Sequence, residues 1–258
     1  MKKTGSYLGQ NFITNPKLVR KIIELSKITV DDIVYEVGSG RGSLTHELCK
    51  VSKSVHSFEL DSLLYAYCKE NLHFKNLDMV NGDGLNEKLG IFFDIFVSNL
   101  PYYESRRAIS WLCQKNFKKG IIMLQREFVN KLLSKPGDKN YRAISVICQN
   151  RFSTRILMDI PRTSFNPIPK VDSQLIELCP KTLSLSKNTI DNIQFLFSFR
   201  KKTVSFVINY LNKNYESNID PNKYSDVKSS KIANLPPYNI LNLTMELKAN
   251  VRETVTIH

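Results

Sequence analysis

Up to about residue 130 the chain alternates between short apolar runs and longer segments with helical spacing. Val34 to Val37, Val55 to Leu60, Leu77 to Asn81, Phe93 to Val97 and Gly120 to Leu124 predict five short buried strands. Between them, Leu44 to Cys49, Ser62 to Asn71 and Ser105 to Asn116 have the apolar pattern of helices. Another helix is predicted over Lys17 to Ser26, with Pro16 in its first turn, where a missing N–H breaks no bond. This alternation predicts right-handed βαβ units and a parallel sheet.

The pattern changes further along. Arg151 to Ile160 and Ser173 to Cys179 predict an antiparallel pair at the sheet edge. Their connection, Pro161 to Val171, holds three prolines and is expected to be a stiff loop. After Pro180, the Ser-, Thr- and Lys-rich stretch Lys181 to Asn188 reads as a linker. Ile190 to Leu211 then predicts one long helix and Tyr238 to Lys248 another, with strand signals nearly absent. The expected division is an α/β domain over residues 1–180 and a small helical domain over 187–258.

Composition narrows the class. Apolar residues make up 42% of the 258, enough for a packed core. No apolar stretch reaches the ~20 residues that cross a bilayer. The basic start Met1 to Gly5 leads into polar residues, so no secretion signal is expected. Five scattered cysteines without a C-x-x-C pair predict neither a metal site nor a disulfide framework, and a reducing cytoplasm is the expected home.

Charge is unevenly placed. Residues 31–104 carry six basic and twelve acidic side chains, a net of −6, whereas residues 106–170 carry fourteen basic and three acidic, a net of +11. An acidic stretch followed by a basic one points to two ligands: a small molecule held by carboxylates and a polyanion such as RNA or DNA.

The chemistry gathers at predicted strand ends. Glu36-Val37-Gly38-Ser39-Gly40-Arg41-Gly42 follows the first strand and opens a helix, the setting of a nucleotide-binding turn. Its G-x-G-x-G spacing differs from the pyrophosphate fingerprint. An acidic turn opening with Glu36 suits a cationic, phosphate-free nucleoside, S-adenosylmethionine. Glu59, at the end of the second strand, is placed to accept both ribose hydroxyls. Asp61 follows it and reads equally as a cap for the helix at Ser62. Asp83, in Asn81-Gly82-Asp83-Gly84, is placed to accept from the adenine amine, or is simply a turn residue. Asn99-Leu100-Pro101-Tyr102 closes the apolar run Phe92 to Ser98. There Asn supplies an acceptor, Pro stiffens the backbone and Tyr offers a stacking face.

Taken together, seven motifs resemble the rRNA adenine N6-dimethyltransferase family. They are Leu8-Gly9-Gln10-Asn11-Phe12, Glu36 to Gly42, Phe58-Glu59-Leu60-Asp61, Gly82-Asp83-Gly84-Leu85, Asn99 to Tyr102, Leu124-Gln125-Arg126-Glu127 and Phe165 to Ser173. The likeness is close over about 180 residues and loose over the helical tail. It implies a Rossmann-like class I S-adenosylmethionine methyltransferase sheet of seven strands with a small C-terminal α-helical, RNA-binding domain. It assigns the cofactor to Asn11, the Ile13 backbone, Gly38, Glu59, Asp83 and Asn99. It assigns catalysis to Asn99, Leu100, Pro101 and Tyr102, with Phe165 and Tyr102 holding the target base, and involves no metal.

The implied substrate is a pair of adjacent adenines in the 3′-terminal hairpin of small-subunit (16S) rRNA, N6,N6-dimethylated during ribosome biogenesis by a cytoplasmic monomer. Two other readings stand beside it: an antibiotic-resistance type enzyme acting on large-subunit rRNA, and an RNA-binding assembly factor with little catalysis. The chain departs from the family at Ser39, where Pro is common, and at Tyr103-Glu104-Ser105-Arg106-Arg107, where Asn-Ile-Ser/Thr is common. Arg106 and Arg107 read as phosphate contacts or as helix-surface charges, within a basic face expected to include Arg126, Lys131, Arg142, Lys170, Lys201 and Lys202.

Overall fold

The computed structural model describes residues 10–86, 88–181, 184–215 and 217–247. The Leu8-Gly9 half of the first motif, the basic start, and Lys248 at the end of the last predicted helix lie outside the described residues. By packing, the chain forms two units. One takes the described residues up to Trp111 together with Asn116–Val129 and Ser153–Pro180. The other takes Leu112–Lys115, Asn130–Phe152 and the described residues from Lys181 on. The division thus differs from the expected one at residues 112–115 and 130–152, which pack with the helical unit.

The first unit is built on a sheet of seven strands: β1 (Ile33–Val37), β2 (Ser54–Glu59), β3 (Leu77–Asn81), β4 (Ile95–Ser98), β5 (Lys119–Gln125), β6 (Phe152–Ile160) and β7 (Ser173–Pro180). Their spatial order is β3-β2-β1-β4-β5-β7-β6. The first five are parallel, in registers such as Val34 beside Val55 and Val34 beside Ile95. β7 runs antiparallel to β5, with Ile122 opposite Ile176. The predicted edge pair therefore forms as neighbouring strands, except that Arg151 ends a helix instead of starting β6.

β4 is also shorter than predicted. Asp94 stands before the strand, accepting the Ile33 N–H at 2.9 Å and lying 3.3 Å from the Lys118 ammonium. Phe93 is buried just outside the ladder.

Side chains alternate across the sheet, as a period of two requires. One face carries Val34, Val55, Ile95, Val97, Ile121 and Met123. They pack against Leu18, Val19 and Ile22 of α1 (Pro16–Ser26) and Leu44 and Leu48 of α2 (Ser43–Val51). The neighbouring positions Tyr35, Phe58 and Phe96 form an aromatic cluster with Phe93 and with Trp111 of α4 (Ser105–Cys113). Both faces are covered, which is why the strands read as near-continuous apolar runs.

Local chemistry fixes the helix ends. Asn15 caps α1 through Lys17 N–H, and Pro16 occupies its first turn. Asp61 caps α3 (Ser62–Asn71) through the N–H groups of Leu63 and Leu64.

In the helical unit the predicted helix over Ile190 to Leu211 is two: α7 (Lys187–Ser198) and α8 (Val204–Asn214). The buried positions Phe197 and Val204 are seven apart, so the apolar stripe continues across the break and conceals it. The signal for it is Thr203, whose hydroxyl accepts the Phe206 N–H and starts a new helix. α6 (Ala143–Arg151) and α9 (Pro237–Met245) belong to the same unit, as does α5 (Arg126–Leu133) from Asn130 on.

Candidate active site

Between β1 and β4 the strand order reverses, so the loops leaving their C-terminal ends diverge and open a crevice. A pocket of about 970 Å³, open mouth included, occupies that position. It is lined by the Gly38–Arg41 turn after β1, Glu59 and Leu60 at the end of β2, Gly82–Leu85 after β3 and Asn99–Pro101 after β4. Gln10 to Ile13 line it as well.

The turn after β1 needs glycine for two reasons. Gly38 and Gly40 have φ of 83° and 57°, in the left-handed region. A Cβ on Gly40 would also come within 3.1 Å of the Phe12 ring. Phe12 thus lies against the turn, with the Arg41 guanidinium 5.0 Å from its ring centre. A two-residue antiparallel ladder, Phe12 with Asn166 and Ile13 with Phe165, secures this segment from the other side.

Glu59 is the best-held acid of the site. It is 3% exposed; Oε2 accepts the Gly40 N–H and Oε1 the Asp61 N–H, each at 2.9 Å. Burial pushes its carboxyl up, and the two N–H groups pull it back. Asp83 accepts the Leu85 N–H through Oδ1 at 2.9 Å and pairs through Oδ2 with Arg107. Asn99 donates from Nδ2 to the Asn11 carbonyl at 3.1 Å, which leaves Oδ1 as its acceptor. Leu100 is buried, and its side chain lies beside Gly38.

Three expectations change here. Glu36 does not line the pocket. It is 1% exposed, on the α2 side of the sheet, where its Oε2 accepts the hydroxyls of Thr45 and Ser57 at 2.7 and 2.6 Å. Burial pushes its carboxyl up to about 7. The acidic character of the pocket comes from Glu59, Asp83 and Glu104 instead.

Phe165 does not line the pocket either; at 2% exposure its ring belongs to the core with Leu175 and Ile160. A core position returns more apolar burial than an open one, and the alternation of this short strand turns Asn166 outward. Tyr102, its expected companion, is likewise absent from the lining: it is half-buried, its hydroxyl 2.7 Å from Ser173 Oγ, and burial raises its phenol.

The third change is Arg107, which points into the pocket rather than presenting a free surface charge. Sequence reasoning missed Tyr103, Glu104 and Arg107 as lining residues. The available signal was the Glu104–Arg107 spacing of three, continued to Trp111 on one helical stripe.

Of the expected basic face, Arg106, Lys170, Lys201 and Lys202 are exposed. Arg126 pairs with Asp159 at 3.1 Å, and Arg142 donates to the Tyr141 carbonyl. Among the described residues no group of three His, Cys, Asp or Glu side chains is arranged to hold a metal, and no helix is long and apolar enough to cross a membrane.

This arrangement can hold a nucleoside at the glycine turn and place a second, amine-bearing group against Asn99. Comparison with known proteins gives the family. The sequence pattern described as ribosomal RNA adenine dimethylase matches residues 1–249. A ribosomal RNA small subunit methyltransferase A from Thermotoga neapolitana is 33% identical over 226 residues, 86% of this chain and 83% of its own. The crystal structure of a dimethyladenosine transferase from Plasmodium falciparum is 29% identical and superposes with a TM-score of 0.78, over 91% of this chain and 96% of that one. The 23S rRNA methyltransferase ErmE shares the fold at 22% identity, with a TM-score of 0.63 over 92% of this chain and 99% of that one.

Proposed function

From the premise that this chain belongs to the ribosomal RNA adenine dimethylase family, we propose that it dimethylates N6 of two adjacent adenines in the 3′-terminal hairpin of small-subunit rRNA, using S-adenosylmethionine. The observation that carries this reading is the placement of Asn99 on the wall of the pocket that also contains Glu59 and Asp83. A methyl donor and an acceptor amine can then meet at one point.

The pocket fits the cofactor. Glu59 is an acceptor for ribose hydroxyls, and Asp83 for the adenine amine. Val37, Phe58, Leu60 and Leu85 give apolar walls for the base. Gln10 lines the pocket with a buried Oε1 that has no hydrogen-bond partner among the described residues, an acceptor suited to the cofactor's amino group. When bound, the cofactor supplies an electrophilic sulfonium methyl.

The chain's own residues prepare the amine. An adenine amine is a weak nucleophile because its lone pair is delocalised into the ring. Acceptors on its hydrogens, Asn99 Oδ1 and the Leu100 carbonyl, favour a pyramidal nitrogen and become better partners as positive charge develops. The donation from Asn99 Nδ2 to Asn11 fixes which way the carboxamide faces. Alignment, not a strong base, provides the rate. Tyr102 supplies one stacking face, worth ~1–3 kcal/mol for an unstacked base. Phe165 can supply the other only after leaving the core.

Small-subunit rRNA is favoured because the relative from Thermotoga neapolitana is named for that subunit. The likeness to ErmE is one of fold alone. Labelled methyl transfer to isolated small subunits lacking the modification, set against large subunits, tests the proposal. Incorporation into small-subunit rRNA supports it, and incorporation into large-subunit rRNA alone overturns it.

A further inference from the structure

The Gly82–Asn86 turn, which carries Asp83, is held from several directions. Arg107 of α4 donates to Asp83 Oδ2 and to the Leu85 carbonyl, the latter at 3.4 Å. One helical turn on, Trp111 Nε1 donates to the Asn86 carbonyl at 3.4 Å. The buried Tyr35 hydroxyl donates to the Gly84 carbonyl at 2.8 Å. The two Arg107 bonds come from Nη2; Nη1 reaches Glu104 at 3.2 Å in the turn that follows Asn99-Leu100-Pro101. One guanidinium therefore joins the loop after β3 to the loop after β4.

Two consequences follow for Asp83. Oδ1 is engaged by a backbone N–H and Oδ2 by Nη2 of the guanidinium, so the carboxylate is held against turning about its own bonds. Each oxygen keeps a lone pair whose direction is now set. Glu104 pairs with the same cation, which offsets part of the repulsion between two carboxylates on the pocket rim. The Arg107 and Asp83 side chains are 47% and 39% exposed, and a pair so open contributes little to folding. Its consequence is orientation.

We propose that Arg107 is a positioning residue that sets the pocket's preference for a base bearing an exocyclic amine. This rests on the proposed reading of the pocket as the cofactor site. An oriented carboxylate accepts from an amine N–H and meets a carbonyl oxygen with repulsion. A carboxylate free to rotate does neither well.

The test is calorimetry on the full chain with two probes, S-adenosylhomocysteine and S-inosylhomocysteine, which carries a carbonyl in place of the amine. The unsubstituted protein should prefer the adenosyl compound by about tenfold or more. In Arg107→Ala the preference should fall to about twofold, chiefly through weaker binding of the adenosyl probe. Arg107→Lys keeps the charge but cannot span three acceptors, so it should restore part of the preference. Thermal melts establish that each variant is folded, and the Lys variant decides the matter if the Ala variant is not. An unchanged preference in the folded variants overturns the proposal, as does a protein that binds both probes equally. A protein that binds neither probe overturns the reading of the pocket itself.

Discussion

Replacing Glu59 by glutamine keeps the shape of the side chain and removes its charge at a position that is 3% exposed. The carboxylate now accepts two backbone N–H groups, from Gly40 and Asp61, one on each oxygen. A carboxamide can serve only one of them, and its NH₂ then faces the other donor. A buried donor left without a partner costs about 1–3 kcal/mol, so the variant should melt several degrees lower. The ribose loses a charged acceptor, worth about 1.5–3 kcal/mol, or roughly ten- to a hundredfold in affinity. Calorimetry with S-adenosylhomocysteine reads that change directly. Because burial raises the Glu59 carboxyl, acidification should weaken binding to the unsubstituted protein by protonating the acceptor, while the glutamine variant should show no such loss. A folded Glu59→Gln protein with unaltered affinity would refute the placement of the ribose at this carboxylate.

Three more expectations follow. Asn99→Ala should leave the affinity for S-adenosylhomocysteine within about threefold while lowering single-turnover methyl transfer by at least about a hundredfold, and equal losses in both would make Asn99 a cofactor or scaffold residue. Glu36→Gln should match the parent in melting temperature near pH 4.5 and exceed it at pH 8. The parent's buried carboxyl, raised to about 7, loses stability as the pH climbs from 4.5 through 7, by up to about 3 kcal/mol, and a pH-independent difference in melting would remove this cause. RNA affinity should fall with salt at a slope of about −0.7 to −0.9 per phosphate contact, and charge reversal at the exposed Arg106, Lys170, Lys201 and Lys202 should flatten it without touching cofactor affinity; an unaltered slope would make these ordinary solvated charges.

What was legible in the sequence follows from how local the determinant is. The strand ends β1 to β4 could be read because a two-sided parallel sheet writes continuous apolar runs into the chain, and the glycines, Glu59, Asp83 and Asn99 stand immediately after those runs. Asp61 could be read only as one of two things until its capping bonds to Leu63 and Leu64 were seen. The break between α7 and α8 was hidden because seven residues separate Phe197 from Val204, a spacing that one unbroken helix would also show.

The differences at the site have another cause. Sign of charge alone does not place Glu36 or Arg107, because direction decides their parts: Glu36 faces α2, whereas Arg107 turns back to Asp83. The motif places Phe165 at the target base, whereas its ring is buried in the core with Ile160 and Leu175. The packing of residues 130–152 with the helical unit likewise depends on long-range contacts that no local pattern encodes.

On the proposed function, Asn99 faces the amine of a target adenine in the same pocket that holds the methyl donor. Nucleoside analysis of small-subunit rRNA after reaction with S-adenosylmethionine, for the parent chain and for Asn99→Ala, tests it most directly. With the parent, N6,N6-dimethyladenosine should be confined to the 3′-terminal hairpin, and with the variant almost none should form. Methylation of another atom, of large-subunit rRNA in its place, or at an undiminished rate in the variant would contradict it.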